Sequence, residues 1–202
     1  METKNTFMKT KPIFPLLISM AVPIMLIQSL YNIVDSIYVS RLGTDALTAV
    51  SLAYPLQNIT ISVAVGIGVG ITSAISIHLG AQDHEKANRA ATIGIALTVL
   101  HCLLFIAGGL LVTRPFLRLF TSDPGILSAA CDYTYIVLCV SFGCLLQVTM
   151  EKIFQGIGEM KITMYLLIAG CVVNIILDPI LIFGYFGMPR MGIAGAAVAT
   201  VI

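Results

Sequence analysis

Residues Ile162–Tyr185 read ITMYLLIAGCVVNIILDPILIFGY, an apolar run with a single charged residue, Asp178. Wound as a helix at 1.5 Å per residue, it is about 36 Å long, enough to cross a hydrocarbon core of roughly 30 Å. Asn174 and Asp178 are four residues apart and share one helical face. Pro179 has no N–H, so the carbonyl of Ile175 loses its helical donor. A run this long belongs in a bilayer, and its polar face cannot be turned cheaply to lipid.

The rest of the chain agrees. Its 202 residues are 58% hydrophobic and only 10% charged, with net charge +1. Ordinary soluble domains carry roughly 25% charge. A soluble fold of this length cannot hide so much apolar surface. A disordered chain is excluded on the same grounds, and a nucleic-acid binder by the absence of a basic surface. Further apolar runs fall at Ile13–Val39, Ala46–Ile77, Ala90–Val112 and Ile126–Met150, and a sixth runs from Met191 to Ile202. None alternates with a period of two, so the spans read as helices rather than barrel strands. The expected fold is an all-α membrane protein, a six-helix transmembrane bundle whose sixth helix is truncated at about half a span. That abrupt end leads us to expect a piece of a longer chain, with a half-size transporter as the alternative. The first run is too long for a cleaved signal peptide, and Gln28, Asn32 and Asp35 interrupt it.

Short polar links make successive helices antiparallel neighbours. One side then holds Lys4, Lys9, Lys11, Lys86, Arg89, Lys152 and Lys161, and the other Arg41, Arg114, Arg118 and Arg190. The positive-inside rule places the N terminus, with a tail over residues 1–12, in the cytoplasm of a multi-pass cell-membrane protein.

Ionisable groups at membrane depth are functional candidates by default. Asp35 in the first run is 23 residues beyond Pro12, roughly 35 Å, and Asp178 is 17 beyond Lys161, roughly 26 Å. Both rise from the same side, so the two carboxylates are expected to meet in the outer half of the membrane. Gln28, Asn32, Asp35 and Ser36 recur at helical spacing and are expected to face the bundle interior. Two adjacent buried carboxylates cannot both stay charged at low cost, so the site suits uptake of H⁺ or Na⁺. Hard oxygen donors do not select a transition metal. Pro23 and Pro179 are read as bending points. An interhelical hydrogen-bonded clamp is the alternative.

Weaker signals remain. His101 reads as a partner for a neighbouring helix, or as a proton relay. Gln57, Asn58 and Gln147 read as cavity lining or helix glue, and Tyr133 and Tyr135 as part of an adaptable apolar pocket or, more commonly, as lipid-facing or belt residues. Gly66 and Gly70 of VGIGVG read as a close helix–helix contact, not a dinucleotide fingerprint. Cys102, Cys131, Cys139, Cys144 and Cys171 show neither a disulfide framework nor zinc-ligand spacing.

The stretch NIVDSIYVSRLGTDALTAVSLAYP (Asn32–Pro55) resembles the signature of multidrug and toxic compound extrusion (MATE) transporters. The resemblance continues through GAQDHEKANRAA, QGIGEMKITM, NIILDPILIFG and GIAGAAVAT. It implies the N-terminal lobe, residues 13–202, of a twelve-helix, two-lobe transporter whose C-terminal lobe is missing here. It implies export of organic cations and hydrophobic drugs in exchange for H⁺ or Na⁺, with no cofactor. The family's cation site maps onto Asp35, Asn174 and Asp178, and more loosely onto Thr200; its bending proline maps onto Pro23. A flippase for lipid-linked oligosaccharides is the first alternative, but the membrane interior holds acids and no clear Lys or Arg, which favours cationic cargo. A structural membrane subunit is another. An intramembrane aspartyl protease is disfavoured, because Asp178 sits in LDP rather than GxGD.

Overall fold

A computed structural model describes residues 13–201, without the side chains of residues 13–21, 23, 24, 28 and 31. The expected tail over 1–12, the side chains of Pro23 and Gln28, and Ile202 lie outside the described residues. The elements are α1 (Ile13–Ser40), α2 (Thr44–Gly80), α3 (His84–Leu117), α4 (Pro124–Cys139), α5 (Phe142–Gly156), α6 (Met160–Phe183), a 3₁₀ turn (Tyr185–Gly187) and α7 (Ile193–Val201). Among the described residues there is no strand. Among the described residues three helices, α2, α3 and α6, are long and apolar enough to cross a membrane, and α4 with α5 forms a fourth such unit bent by 46°.

Helix ends follow capping chemistry rather than hydropathy. The polar stretch before Ala90 is itself helical, because the Asp83 carboxylate accepts the backbone N–H of Lys86 at 3.0 Å and starts α3 at His84. Asp123 caps α4 in the same way, accepting from Gly125 and Ile126 with Pro124 in the first turn. α6 ends at Gly184, whose φ of +76° is the left-handed geometry that suits glycine.

The expected single fourth span is two helices. The break falls at Val140–Ser141, where the buried Ser141 hydroxyl donates to the carbonyl of Leu138 at 2.9 Å. Such side-chain bonding competes with the helical ladder and bends it.

α2 is the central element, packed against α3, α4 and α5, while α1 lies along α6, and α7 fills the angle between α4 and α6. The main core cluster joins Val39, Ala53, Tyr133, Val137, Ile182, Ala196, Ala197 and Val201, drawn from five helices. Small residues dominate α7 and let backbones approach closely. At Gly195 an added Cβ would lie 2.5 Å from the Leu181 carbonyl oxygen. The N–H groups of Met191 and Gly192 donate to the carbonyls of Leu181 and Ile182, fixing the end of α6. Two hydroxyls one turn apart tie α2 to α5: Thr72 donates to the Lys152 carbonyl at 2.8 Å and Ser76 to that of Gly156 at 3.0 Å.

Candidate functional site

The site forms where α1, α4, α6 and α7 meet. α6 supplies Asn174 and Asp178, one turn apart and facing inward. Asn174 is 3% exposed and Asp178 is fully buried. α1 supplies Asp35, half-buried, with its Oδ1 enclosed. Asp35 and Asp178 interact electrostatically across the α1–α6 contact. α7 supplies Thr200, half-buried, whose hydroxyl donates to the Ala196 carbonyl at 2.9 Å.

The polar atoms here are unusual in having no partner. Asp35 Oδ1, both side-chain polar atoms of Asn174 and both carboxylate oxygens of Asp178 are buried and make no hydrogen bond within the described chain. Buried polar groups are normally satisfied, and leaving one unsatisfied costs about 1–3 kcal/mol. A cluster of such atoms on two helices marks this as the candidate site. The set is dominated by hard oxygens, which fits a proton or an alkali cation.

Tyr133 was not legible as part of this site. Its expected place in an interfacial belt is corrected: it is 2% exposed, inside the main core cluster. Its hydroxyl lies beside Thr200 and within electrostatic range of both Asp35 and Asp178. A tyrosine is apolar along its ring and polar at its tip, so a buried one seeks a polar partner. The overlooked signal was the position of Tyr133 four residues from Val137, on the core face of α4.

The other expected residues divide. Asn32 and Ser36 are exposed on the bundle surface rather than buried, and the Ser36 hydroxyl donates to the Asn32 carbonyl at 2.8 Å. The polar stripe of α1 is thus split: Asp35 turns toward α6, while its neighbours lie on the open face. Gln147 is half-buried, with its amide against Gly170 of α6, and so joins α5 to α6. Pro179 lies within α6 beside Asp178. His101 is 4% exposed, yet its Nε2 has no hydrogen-bond partner. Its ring packs edge-on against Phe105 with centroids 4.5 Å apart, in place of the expected bond to a neighbouring helix. Gly66 and Gly70 are corrected too: both are exposed, and a Cβ on either would meet nothing within 4 Å. The close contact is made by Gly68, which leaves room for the aliphatic chain of Lys152.

The helical bundle thus carries two acids, one on α1 and one on α6, within electrostatic range of each other. The chain belongs to the MatE family, whose model matches residues 21–180; this is a family of integral-membrane transporters rather than enzymes. It is 33% identical over 185 residues to the probable multidrug resistance protein YoeA of Bacillus subtilis, covering 90% of this chain and 40% of that protein. It is 28% identical to the multidrug resistance protein NorM of Burkholderia vietnamiensis, covering 87% of this chain and 38% of that one. It is 29% identical to a protein named FAD transporter from Shewanella oneidensis, with coverages of 94% and 42%. Among solved structures, it matches a MOP superfamily transporter from Pyrococcus furiosus with a TM-score of 0.83 and 30% identity, over 92% of this chain and 41% of that one. An outward-facing MATE family transporter matches equally well, with a TM-score of 0.83 and 30% identity over the same shares. The chain thus spans about two-fifths of the length of these relatives.

Proposed function

We propose that this chain is the N-terminal lobe of a cell-membrane antiporter that exports organic cations and hydrophobic drugs in exchange for H⁺ or Na⁺. The observation that carries this reading is the partnerless oxygen cluster of Asp35, Asn174 and Asp178. Two relatives named for multidrug resistance support the cargo class.

Asp35, Asn174 and Asp178, with Thr200 and Tyr133 adjoining, hold the coupling cation. Neutralising the acids removes their repulsion and draws α1 onto α6 and α7. Release restores the repulsion and loosens α1, with Pro23 as the bending point. Because α1 carries Asn32 and Ser36 on its exposed face, its movement reshapes the surface presented to cargo and to the second lobe. The N terminus is cytoplasmic in this reading, so Lys86, Arg89, Lys152 and Lys161 lie at the inner surface.

Ethidium efflux from proteoliposomes holding the whole gene product tests it. An imposed H⁺ or Na⁺ gradient is expected to accelerate efflux, and Asp35→Asn or Asp178→Asn to cut the accelerated component at least tenfold with normal expression. Efflux indifferent to both gradients rejects antiport. Wild-type coupling in both variants rejects the site.

A further inference from the structure

The exposed glycines of α2 have a second consequence. Gly66 and Gly70 leave a groove of about 500 Å³ between α2 and α3. Its walls include Ile67, Ile71 and Leu97, and at its mouth stand His78, Lys86 and Arg89. No acidic residue lines it. Asp83, just outside, is engaged with Lys86, Nζ to Oδ2 at 2.8 Å. Arg89 is exposed and makes no ion pair among the described residues.

The dimensions are those of one membrane leaflet. Gly66 lies twelve residues from His78 along α2. That is about 18 Å at 1.5 Å per residue, against roughly 15 Å for half of a hydrocarbon core. Cationic groups therefore sit at headgroup level, and the apolar part of the groove reaches close to the bilayer midplane. Exposed glycine at that depth also bares backbone that a flexible chain can cover closely.

We propose that this groove binds one anionic phospholipid of the leaflet at the His84 end of the bundle. Arg89 and Lys86 hold its phosphodiester, His78 borders the headgroup, and one acyl chain lies along Gly66 and Gly70. Charge complementarity selects the headgroup, because basic pockets between spans attract anionic lipids. The length of the groove selects a lipid over a free phosphate. The site lies apart from the acid cluster, so it stands or falls independently of the antiport reading.

Native mass spectrometry of the whole gene product in detergent provides the test, with phosphatidylglycerol and phosphatidylcholine carrying identical palmitoyl and oleoyl tails as probes. Phosphatidylglycerol is expected to bind at least fivefold more tightly. The preference is expected to shrink toward one in the Lys86→Gln/Arg89→Gln double variant. Gly70→Leu, which fills the apolar part of the groove, is expected to weaken both lipids at least fivefold and leave the preference intact. Equal binding of the two lipids by the unaltered protein overturns the proposal, and so does a preference that survives the double variant. Inorganic phosphate displacing phosphatidylglycerol at equal concentration overturns it as well, since the tails then contribute nothing. Should a variant fail to fold, the unaltered protein still decides: the preference is expected to fall severalfold between 50 and 500 mM salt, on the order of the loss that ionic screening imposes. A preference indifferent to salt refutes it. Crosslinking of Gly70→Cys to another part of the same chain shows the groove to be covered by protein, and refutes it too.

Discussion

At the scale of the residue, the site is defined by what its atoms lack. Asp178 is fully buried, and neither of its oxygens has a hydrogen-bond partner among the described residues. Tyr133 lies against the cluster, beside Thr200. Replacing Tyr133 by Phe keeps the ring in the core and removes only the hydroxyl. The expected outcome is a thermal midpoint within a few degrees of the original and ion-driven efflux lowered at least threefold. Paired melting curves and efflux rates check it; unchanged efflux would confine Tyr133 to packing.

At the scale of the element, α7 stays where it is because its backbone can touch α6. Gly195→Ala would place a methyl group against the Leu181 carbonyl and force the two helices apart. Overpacking of this kind costs about 1–3 kcal/mol. Since α7 carries Thr200, the variant is expected both to lower the thermal midpoint and to weaken ion coupling. A midpoint equal to that of the unaltered protein would show that the contact yields. The start of α3 offers a pH signature outside the membrane. Hydrogen bonding from Lys86 holds the Asp83 carboxyl below the usual carboxylate range. A group whose pKa is depressed on folding adds stability above its unfolded value, and that stability is lost as pH falls through the folded value. The cap therefore holds at neutral pH and is lost on acidification below about pH 4. Asp83→Asn is expected to lessen the acid-side loss of stability, read from melting curves between pH 3 and 7.

At the scale of the whole molecule, much apolar surface points outward. Leu26 is 64% exposed and Leu111 75%, values suited to lipid or to a second lobe rather than to water. The partnerless oxygens lie inside, where a bound cation would couple to stability. A ligand that binds only the folded state, at ten times its dissociation constant, adds about 1.4 kcal/mol. If Na⁺ is the coupling ion, the midpoint of the whole gene product is expected to rise with Na⁺ but not with choline at equal ionic strength. Asp178→Asn is expected to abolish the rise. No difference between the salts at any pH would assign the site to protons.

Hydropathy and the cost of charge in lipid were enough to read the helical membrane fold and to bring Asp35, Asn174 and Asp178 forward as candidates, because these depend only on residue type and helical period. Tertiary structure decided the rest. The Val140–Ser141 bend, the inward turn of Tyr133, the exposure of Asn32 and Ser36, and the groove beside Gly66 and Gly70 depend on which helix packs against which face. A single helix shows its own periodicity but not its neighbours. Glycines marking a tight contact and glycines lining an open groove look the same until the opposing helix is in place.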